Sequence, residues 1–332
     1  MIKICPSCLK KGENTFCNKC RKELFDGKTI SHILPFSKPE YDKIKFTTQN
    51  RISISGVQTK HSLKIENEKL ILTDIGGEYI LKPIPTGVFS NLSFVPANEH
   101  LSMQIAKQVF KINTAKNAIV FFSDNKPAYL VKRFDRLPNK VKLLQEDFAQ
   151  IANRSSKIND ENYKYDFSYE EIAELIKKYV SAYKIDIEQF YKLILFNYLI
   201  GNGDAHLKNF SLFKDEKYGE YRLTPAYDLL NTTIHIPNES DTALELFKDG
   251  YETDGYKFNS KYTKDDFYEF GIKIGITETR VQKLLSLIIF ESNEIENLIN
   301  SSFLNNELKT IYSKTIDDRI KRLKYSYSKD NG

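Results

Sequence analysis

The sequence predicts an α+β chain in two lobes, a small sheet-rich lobe followed by a larger helical one. Three observations carry that expectation. Between residues 51 and 136, short alternating runs are separated by turn residues, the pattern of strands and hairpins. Beyond residue 140, apolar residues recur at helical spacing behind Ser and Thr caps. All four cysteines of the 332-residue chain fall within the first twenty positions, which marks off a small module of its own. The organisation read from this is a cysteine module and connector over 1–45, the sheet-rich lobe over 46–137 and the helical lobe over 138–332.

The module reads CPSCLKKGENTFCNKC, with Cys5 and Cys8 in one C-x-x-C pair and Cys17 and Cys20 in another. Two such pairs let four thiolates converge tetrahedrally on one zinc ion. The eight-residue spacer is short for a zinc ribbon, but Gly12 and Asn14 can turn the chain back. Disulfides are the weaker reading in a chain with no export signal and no other cysteine. Four Cys ligands leave no open position for water, so the zinc would be structural. So small a module has no core of its own, and metal binding would supply its folding energy. The connector after it, ELFDGKTISHILPFSKPEYDKIKF, reads as a mixed segment with short strands.

In the sheet-rich lobe, SLKIENEKLIL reads as a hairpin around Glu66–Glu68 and GGEYILKP as a third strand ended at Pro83. PANEHLSMQIAKQVF has helical spacing, with Leu101, Ile105 and Val109 on one face. NAIVFFSDNKPAYLVKRFD reads as a second hairpin around Asp124-Asn125. In the helical lobe, SYEEIAELIKKYVSAY has Ser168 as N-cap and Glu171 as its capping-box partner. DIEQFYKLILFNYLIG is apolar on most faces and reads as a buried helix. TKDDFYEFGIKIG and TETRVQKLLSLIIFESNEIENLI each start at a threonine cap followed by acids, and LKTIYSKTIDDRIKRLKYS reads as the last helix.

Composition narrows the function classes. The chain is 41% hydrophobic and 28% charged, the profile of a soluble globular protein. No apolar run reaches the length of a membrane span, and the N-terminus lacks the basic-then-apolar pattern of a secretory signal. A cytoplasmic protein without membrane contact is expected. Lys and Arg number 49 against 44 Asp and Glu, and a net charge of +5 is too mild to argue for nucleic acid.

The chemistry is expected between the lobes. GNGDAHLKNFSLF places Asp204 and Asn209 in the register Asp-x-x-x-x-Asn, directly after the buried helix. In protein kinases that spacing lets Asp face the acceptor hydroxyl while Asn faces the metal. Asp228, in YRLTPAYDLLN, is read as ending a short strand just after Pro225, a place suited to a second metal ligand. Mg²⁺ prefers hard oxygen donors of this kind. Lys82 ends the apolar strand EYILK and can reach nucleotide phosphates, with Glu99 on the next helix as its partner. ISISGVQTK, residues 52–60, could fold over phosphates through its backbone N–H groups. YLVKRF is the candidate hinge. Taken singly, each of these residues has an ordinary structural explanation as a turn, cap or strand-end residue.

In order, ISISGVQTK, EYILKP, NEH, LVKRFDR, LLQEDFAQ, LIGNGDAHLKNFSLF and YRLTPAYDLLN resemble the motifs of the HipA-like serine/threonine kinases, toxins of bacterial toxin–antitoxin modules. The resemblance covers residues 50–235 well and the C-terminal helices loosely. It implies a protein-kinase-like fold, with Asp204 as catalytic base and Asn209 and Asp228 as magnesium ligands. It further implies Lys82 on the ATP phosphates, residues 53–58 as the phosphate loop (Ser53, Ser55, Gly56, Val57 and Gln58 among them), Lys132, Arg133 and Phe134 at the adenine site, and Tyr227 beside it. His206 would organise the catalytic loop. Ser53 matches the serine whose autophosphorylation silences HipA. The Ser-Ile-Ser pattern with Ser55 resembles HipT, the short kinase of HipBST modules.

The implied partners are an antitoxin of HipB type, a HipS-like small protein, DNA only through the antitoxin, and a protein substrate such as an aminoacyl-tRNA synthetase. Residues 1–45 depart from the pattern, being too few for the N-terminal subdomain of full-length HipA. Two other readings are a kinase-like pseudoenzyme serving as a zinc-containing adaptor for an antitoxin or DNA, and a small-molecule kinase. The intact Lys82, Asp204, Asn209 and Asp228 argue against the first, and no dedicated acceptor pocket is identifiable for the second.

Overall fold

The computed structural model describes residues 3–48, 60–137, 141–159, 161–214, 219–290 and 292–327. The phosphate-loop residues Ser53, Ser55, Gly56, Val57 and Gln58 therefore lie outside the described residues.

In the first lobe the elements are α1 (Asn18–Phe25), α2 (Lys38–Thr48), β1 (His61–Glu66), β2 (Lys69–Leu72), β3 (Tyr79–Pro83), α3 (Val95–Gln108), β4 (Asn117–Phe121) and β5 (Pro127–Lys132). The five strands form one antiparallel sheet in the order β2-β1-β3-β5-β4. The β1–β2 hairpin turns at Asn67 and Glu68, whose φ values of 48° and 58° give the left-handed pair that matches strand twist.

The strands alternate strictly, and both faces are covered. Leu63, Tyr79, Leu81, Ala118, Val120, Ala128 and Leu130 face one side, where they pack with Phe16, Leu24, Phe25, Ile30, Leu34 and Tyr41. Tyr129 and Val131 face the other, against α3. The connector expected to carry short strands is helical at its two ends, the close of α1 and most of α2. Its strand-like part is confined to residues 32–34, where Phe121 N–H donates to His32 O (2.8 Å) and Leu34 N–H to Phe121 O (2.7 Å). Together with Ile119 N–H on Pro6 O (2.8 Å), these bonds occupy the outer edge of β4. The N-terminal segment is thus a layer of the small lobe.

The second lobe continues with β6 (Gln145–Asp147), α4 (Phe148–Ile151), α5 (Tyr169–Tyr179), α6 (Tyr183–Leu199), β7 (Ser211–Lys214), β8 (Tyr221–Leu223), α7 (Asp254–Asn259), α8 (Lys264–Lys273), α9 (Glu278–Ile289), α10 (Asn293–Ser301) and α11 (Asn306–Lys324). Strands β6, β7 and β8 make a small sheet beside the lobe junction. Ser168 and Glu171 form the expected reciprocal cap on α5, and Thr263 and Asp266 form another on α8. The run from Thr277 breaks into α9 and α10, because Ser292 caps a second helix by accepting from Glu294 N–H. No helix among the described residues is long and apolar enough to cross a membrane.

Helix α3 joins the lobes. Every residue from Val95 to Ala106 is buried, the polar ones included. Asn98 donates to Asn231 O (2.8 Å), accepts from Asn231 N–H (3.2 Å) and donates to His235 Nε2 (2.9 Å). Burial holds the His235 imidazole below its usual range, and the neutral ring donates from Nδ1 to Ser90 O (3.0 Å). Asn98→Ala would leave three buried groups without partners at the lobe junction. We expect a loss of about 3 kcal/mol, read as a lower urea midpoint with unchanged slope.

Candidate active site

The catalytic-loop candidate is built from the end of α6. Gly201 takes φ +68°, and a Cβ there would come within 2.8 Å of a Thr315 methyl, so the chain can leave the helix here only as glycine. Asn202 locks the turn, donating from its amide to Asn197 Oδ1 (2.8 Å) and accepting Asp204 N–H on Oδ1 (3.2 Å). Thr232 closes it from the other side, accepting Gly203 N–H (2.8 Å) and donating to Gly201 O (3.0 Å). The result is a rigid loop whose Asp204 carboxylate stands half-exposed at 49%.

Tyr165 donates its hydroxyl to Asp204 Oδ1 at 2.6 Å. His206 Nε2 lies 3.7 Å from the same oxygen. Burial pushes the His206 imidazole down to about 4, so it is neutral near pH 7. Asn209 accepts His206 N–H on Oδ1 (3.1 Å), which fixes the orientation of its amide.

Lys82 lies on β3 with its side chain 5% exposed. Its ammonium donates to Glu99 Oε1 on α3 at 2.6 Å and contacts the Asp228 carboxylate of the large lobe. Lys60 Nζ is 3.4 Å from the other Asp228 oxygen. Burial would raise the Asp228 carboxyl, but the Lys82 and Lys60 charges outweigh it and hold the group well below the carboxylate range. Burial likewise opposes the charge on Lys82, and Asp228 and Glu99 reverse it, holding the ammonium above its ordinary value. Glu99 remains raised, because burial exceeds what Lys82 returns. Asp228 does not end a strand. Strand β8 stops at Leu223, and Asp228 sits in the following loop with φ +56°, a left-handed conformation that costs energy outside glycine.

The hinge candidates divide. Phe134 and Tyr227 stack at 6.0 Å between ring centroids, one from each lobe. The Lys132 side chain turns away to Asp26 (2.8 Å), and Arg133 is bound to Asp135 (2.8 and 2.5 Å). Their N–H groups are engaged as well, on Lys116 O and Glu78 O. Tyr165 was not legible in the sequence, and Lys60 only as the end of the ISISGVQTK motif, with nothing to pair it with Asp228. Both reach their aspartates by tertiary folding, across 39 and 168 residues.

The four cysteines meet as the spacing requires. Cys5, Cys8, Cys17 and Cys20 have all their sulfurs within 4.8 Å of one another, unbridged by disulfides. Cys8 and Cys17 Sγ lie 3.8 Å apart. A tetrahedron with Zn–S bonds of about 2.3 Å has S···S edges of about 3.8 Å, whereas a disulfide needs about 2.05 Å. Cys17 N–H donates to Cys5 Sγ (3.4 Å), a bond that favours a thiolate acceptor. The Cys20 thiol is forced far up by its hydrogen bonds with Cys5 and Cys8, since packed thiols cannot all ionise without a cation among them. The donor set fits zinc.

A small antiparallel sheet over one buried helix and a helical second lobe, with Lys82 and Glu99 of the first meeting Asp228 of the second, define a kinase-like α+β fold. Residues 52–292 match the model of the HipA-like C-terminal domain, and the chain belongs to that family. A Haemophilus influenzae protein named "Putative kinase" is 33% identical over 296 residues, covering 85% of this chain and 84% of that protein. The serine/threonine-protein kinase toxin HipA of Shewanella oneidensis is 28% identical over 215 residues, 59% of this chain and 47% of that one. The chain thus spans less than half of that toxin, and 56% of a Sinorhizobium fredii kinase homologue named Y4dM. Among solved structures, Shewanella HipA, in complex with HipB and its operator DNA, superposes with TM-score 0.62 at 20% identity, over 88% of this chain and 73% of that one. The Helicobacter pylori proinflammatory kinase CtkA gives 0.51 at 15% identity, over 79% and 90%. At such identities these two likenesses speak for the fold.

Proposed function

We propose that the protein is an ATP- and magnesium-dependent serine/threonine kinase, the toxin of a toxin–antitoxin module. One observation carries the reading: Lys82 and Glu99 of the small lobe meet Asp228 of the large lobe in one ion cluster. An isolated buried ion pair is a poor way to gain stability. A cation placed to be shared between a carboxylate and incoming phosphates has a use.

In this reading Asp204 takes the proton of an acceptor serine. The serine oxygen bonds to the γ-phosphorus as the bond from phosphorus to the bridging oxygen breaks, and that oxygen leaves with ADP. Lys82, held by Glu99, carries the positive charge to the phosphates. Asp228 and Asn209 offer hard oxygens to Mg²⁺, which when bound neutralises the charge on the transferring phosphate. Neutral His206 shapes the loop, and the Phe134–Tyr227 stack flanks the adenine. Tyr165 orients the Asp204 carboxylate. Tyr165→Phe is expected to slow transfer to the acceptor about tenfold, the worth of a charge-assisted hydrogen bond, with the KM for ATP unchanged.

Ser53 and Ser55 are the proposed autophosphorylation sites, as in the HipT kinases. A phosphate there adds about −1.5 to −2 charges where the loop must cradle equally anionic phosphates, which would silence the enzyme. A HipB-type antitoxin, with DNA reached through it, is supported by the complex of the Shewanella relative; a HipS-like protein and an aminoacyl-tRNA synthetase substrate follow from the family resemblance. The cysteine cluster is proposed to hold structural zinc, and the division into 1–45, 46–137 and 138–332 is proposed as a functional one, with 1–45 packed as a layer of the small lobe. The test is incubation with γ-labelled ATP, magnesium and host lysate. Label on a lysate protein is expected. Label confined to a small molecule would replace this reading with a small-molecule kinase, and no label anywhere would leave an adaptor.

A further inference from the structure

The cysteine cluster touches the candidate active site through α3. Three successive carbonyls of the Cys5–Cys8 turn each accept a hydrogen bond from the lobe beneath. Pro6 O accepts Ile119 N–H of β4 (2.8 Å), Ser7 O accepts His100 Nε2–H (2.8 Å) and Cys8 O accepts the Gln108 amide (3.0 Å). His100 and Gln108 belong to one stripe of α3 with Gln104 between them, at i, i+4 and i+8. Gln104 donates to Asn117 Oδ1 (2.9 Å), and Ser7 Oγ donates to Asn117 O (2.8 Å), which ties the stripe, the turn and β4 into one network. His100, Gln104 and Asn117 are fully or almost fully buried.

Polar groups that deep must keep partners or pay desolvation, so α3 is seated only while the turn presents those carbonyls. Cys5 and Cys8, at its two ends, present them by having their sulfurs drawn to one point. Glu99, the partner of Lys82, is the residue next to His100.

We propose that the four-cysteine metal site is a positioning site for the nucleotide lysine: metal binding fixes the Cys5–Cys8 turn, the turn seats α3, and α3 sets Glu99 against Lys82. This rests on the zinc reading above and adds that the metal governs the active site as well as the N-terminal fold.

The test uses the full chain, zinc-loaded, stripped by chelator and reloaded, with metal per chain measured in each state. Hydrogen exchange is followed over residues 95–108, with α8 and α9 as a large-lobe reference. Stripping is expected to cost at least about tenfold in protection over 95–108 and about tenfold in MgATP affinity, with the reference unchanged and zinc restoring both. Because coupling is reciprocal, Gln108→Ala, which keeps all four thiols, is expected to hold zinc severalfold more weakly in equilibrium competition with a chelator. Stoichiometric zinc whose removal leaves 95–108 protected would overturn the proposal while the zinc reading stood. A wild-type chain that takes up no zinc would remove both. Should stripping unfold the reference helices too, the Gln108→Ala competition decides, and unchanged zinc retention there would overturn it. Exchange needs no turnover, so a failure of the kinase reading would be seen separately.

Discussion

Asp204→Asn is expected to lower phosphoryl transfer about 10³-fold while leaving MgATP binding and thermal stability nearly unchanged. The substitution keeps the shape of the side chain and removes its capacity to accept a proton. Asp204 stands half-exposed on a loop held by backbone and side-chain bonds from Asn202 and Thr232, none of which involves its carboxylate. The Tyr165 hydroxyl can donate to an amide oxygen as it does to the carboxylate. Little stability is therefore at stake, and exposed substitutions of this kind usually stay within about 0.5 kcal/mol. A change confined to the KM for ATP would assign Asp204 to nucleotide binding and leave the base unidentified.

Lys82→Met is expected to abolish ATP use and to cost about 3–5 kcal/mol of stability at neutral pH, the usual cost of breaking a buried ion pair from one side. Glu99 is then a buried carboxylate with no cation against it. Its carboxyl is already raised by burial with Lys82 present, and without Lys82 it must rise further. A carboxyl raised in the folded state costs nothing below its unfolded value, where both states hold the proton. The cost appears as pH climbs through that value and is complete above the folded one. The share of the deficit due to Glu99 should thus be small near pH 4 and widen toward pH 7, above a share already present at pH 4 because Lys82 also holds Asp228 well below the carboxylate range in wild type, measured by urea midpoints across that range. Adding Glu99→Gln to Lys82→Met should recover much of the stability at pH 7 and none of the activity. That separates the structural share of the ion pair from its share in binding phosphate.

What the sequence disclosed depended on how local the signal was. The β1–β2 hairpin was legible because Asn67 and Glu68 sit between two alternating runs, and the α5 cap because Ser168 and Glu171 are three residues apart. The cysteine cluster was legible for the same reason, since two C-x-x-C pairs bring their own geometry. Helix α3 was readable as a helix, but its one apolar face at Leu101, Ile105 and Val109 understates it: polar His100 and Gln104 are just as buried, because the N-terminal turn and Asn117 of β4 supply their partners. The connector pairs with β4 only at residues 32–34, and the packing of its Leu24, Phe25 and Tyr41 on a sheet face is something no local pattern reveals.

The same distinction holds within the site. The five-residue register of Asp204 and Asn209 is local and stands out in the chain. The meeting of Lys82 with Asp228 spans 146 residues and is knowable only once the lobes are folded together. Asp228 itself was expected at a strand end, but the chain leaves β8 early and reaches it in a left-handed turn.

The most direct measurement of the central claim is the mass of the intact protein after incubation with MgATP, followed by peptide mapping, for wild type beside Asp204→Asn. Phosphate is expected on wild type at Ser53 or Ser55, with none on the variant. Wild type that binds MgATP and stays unmodified, and transfers nothing to any protein supplied, would contradict it.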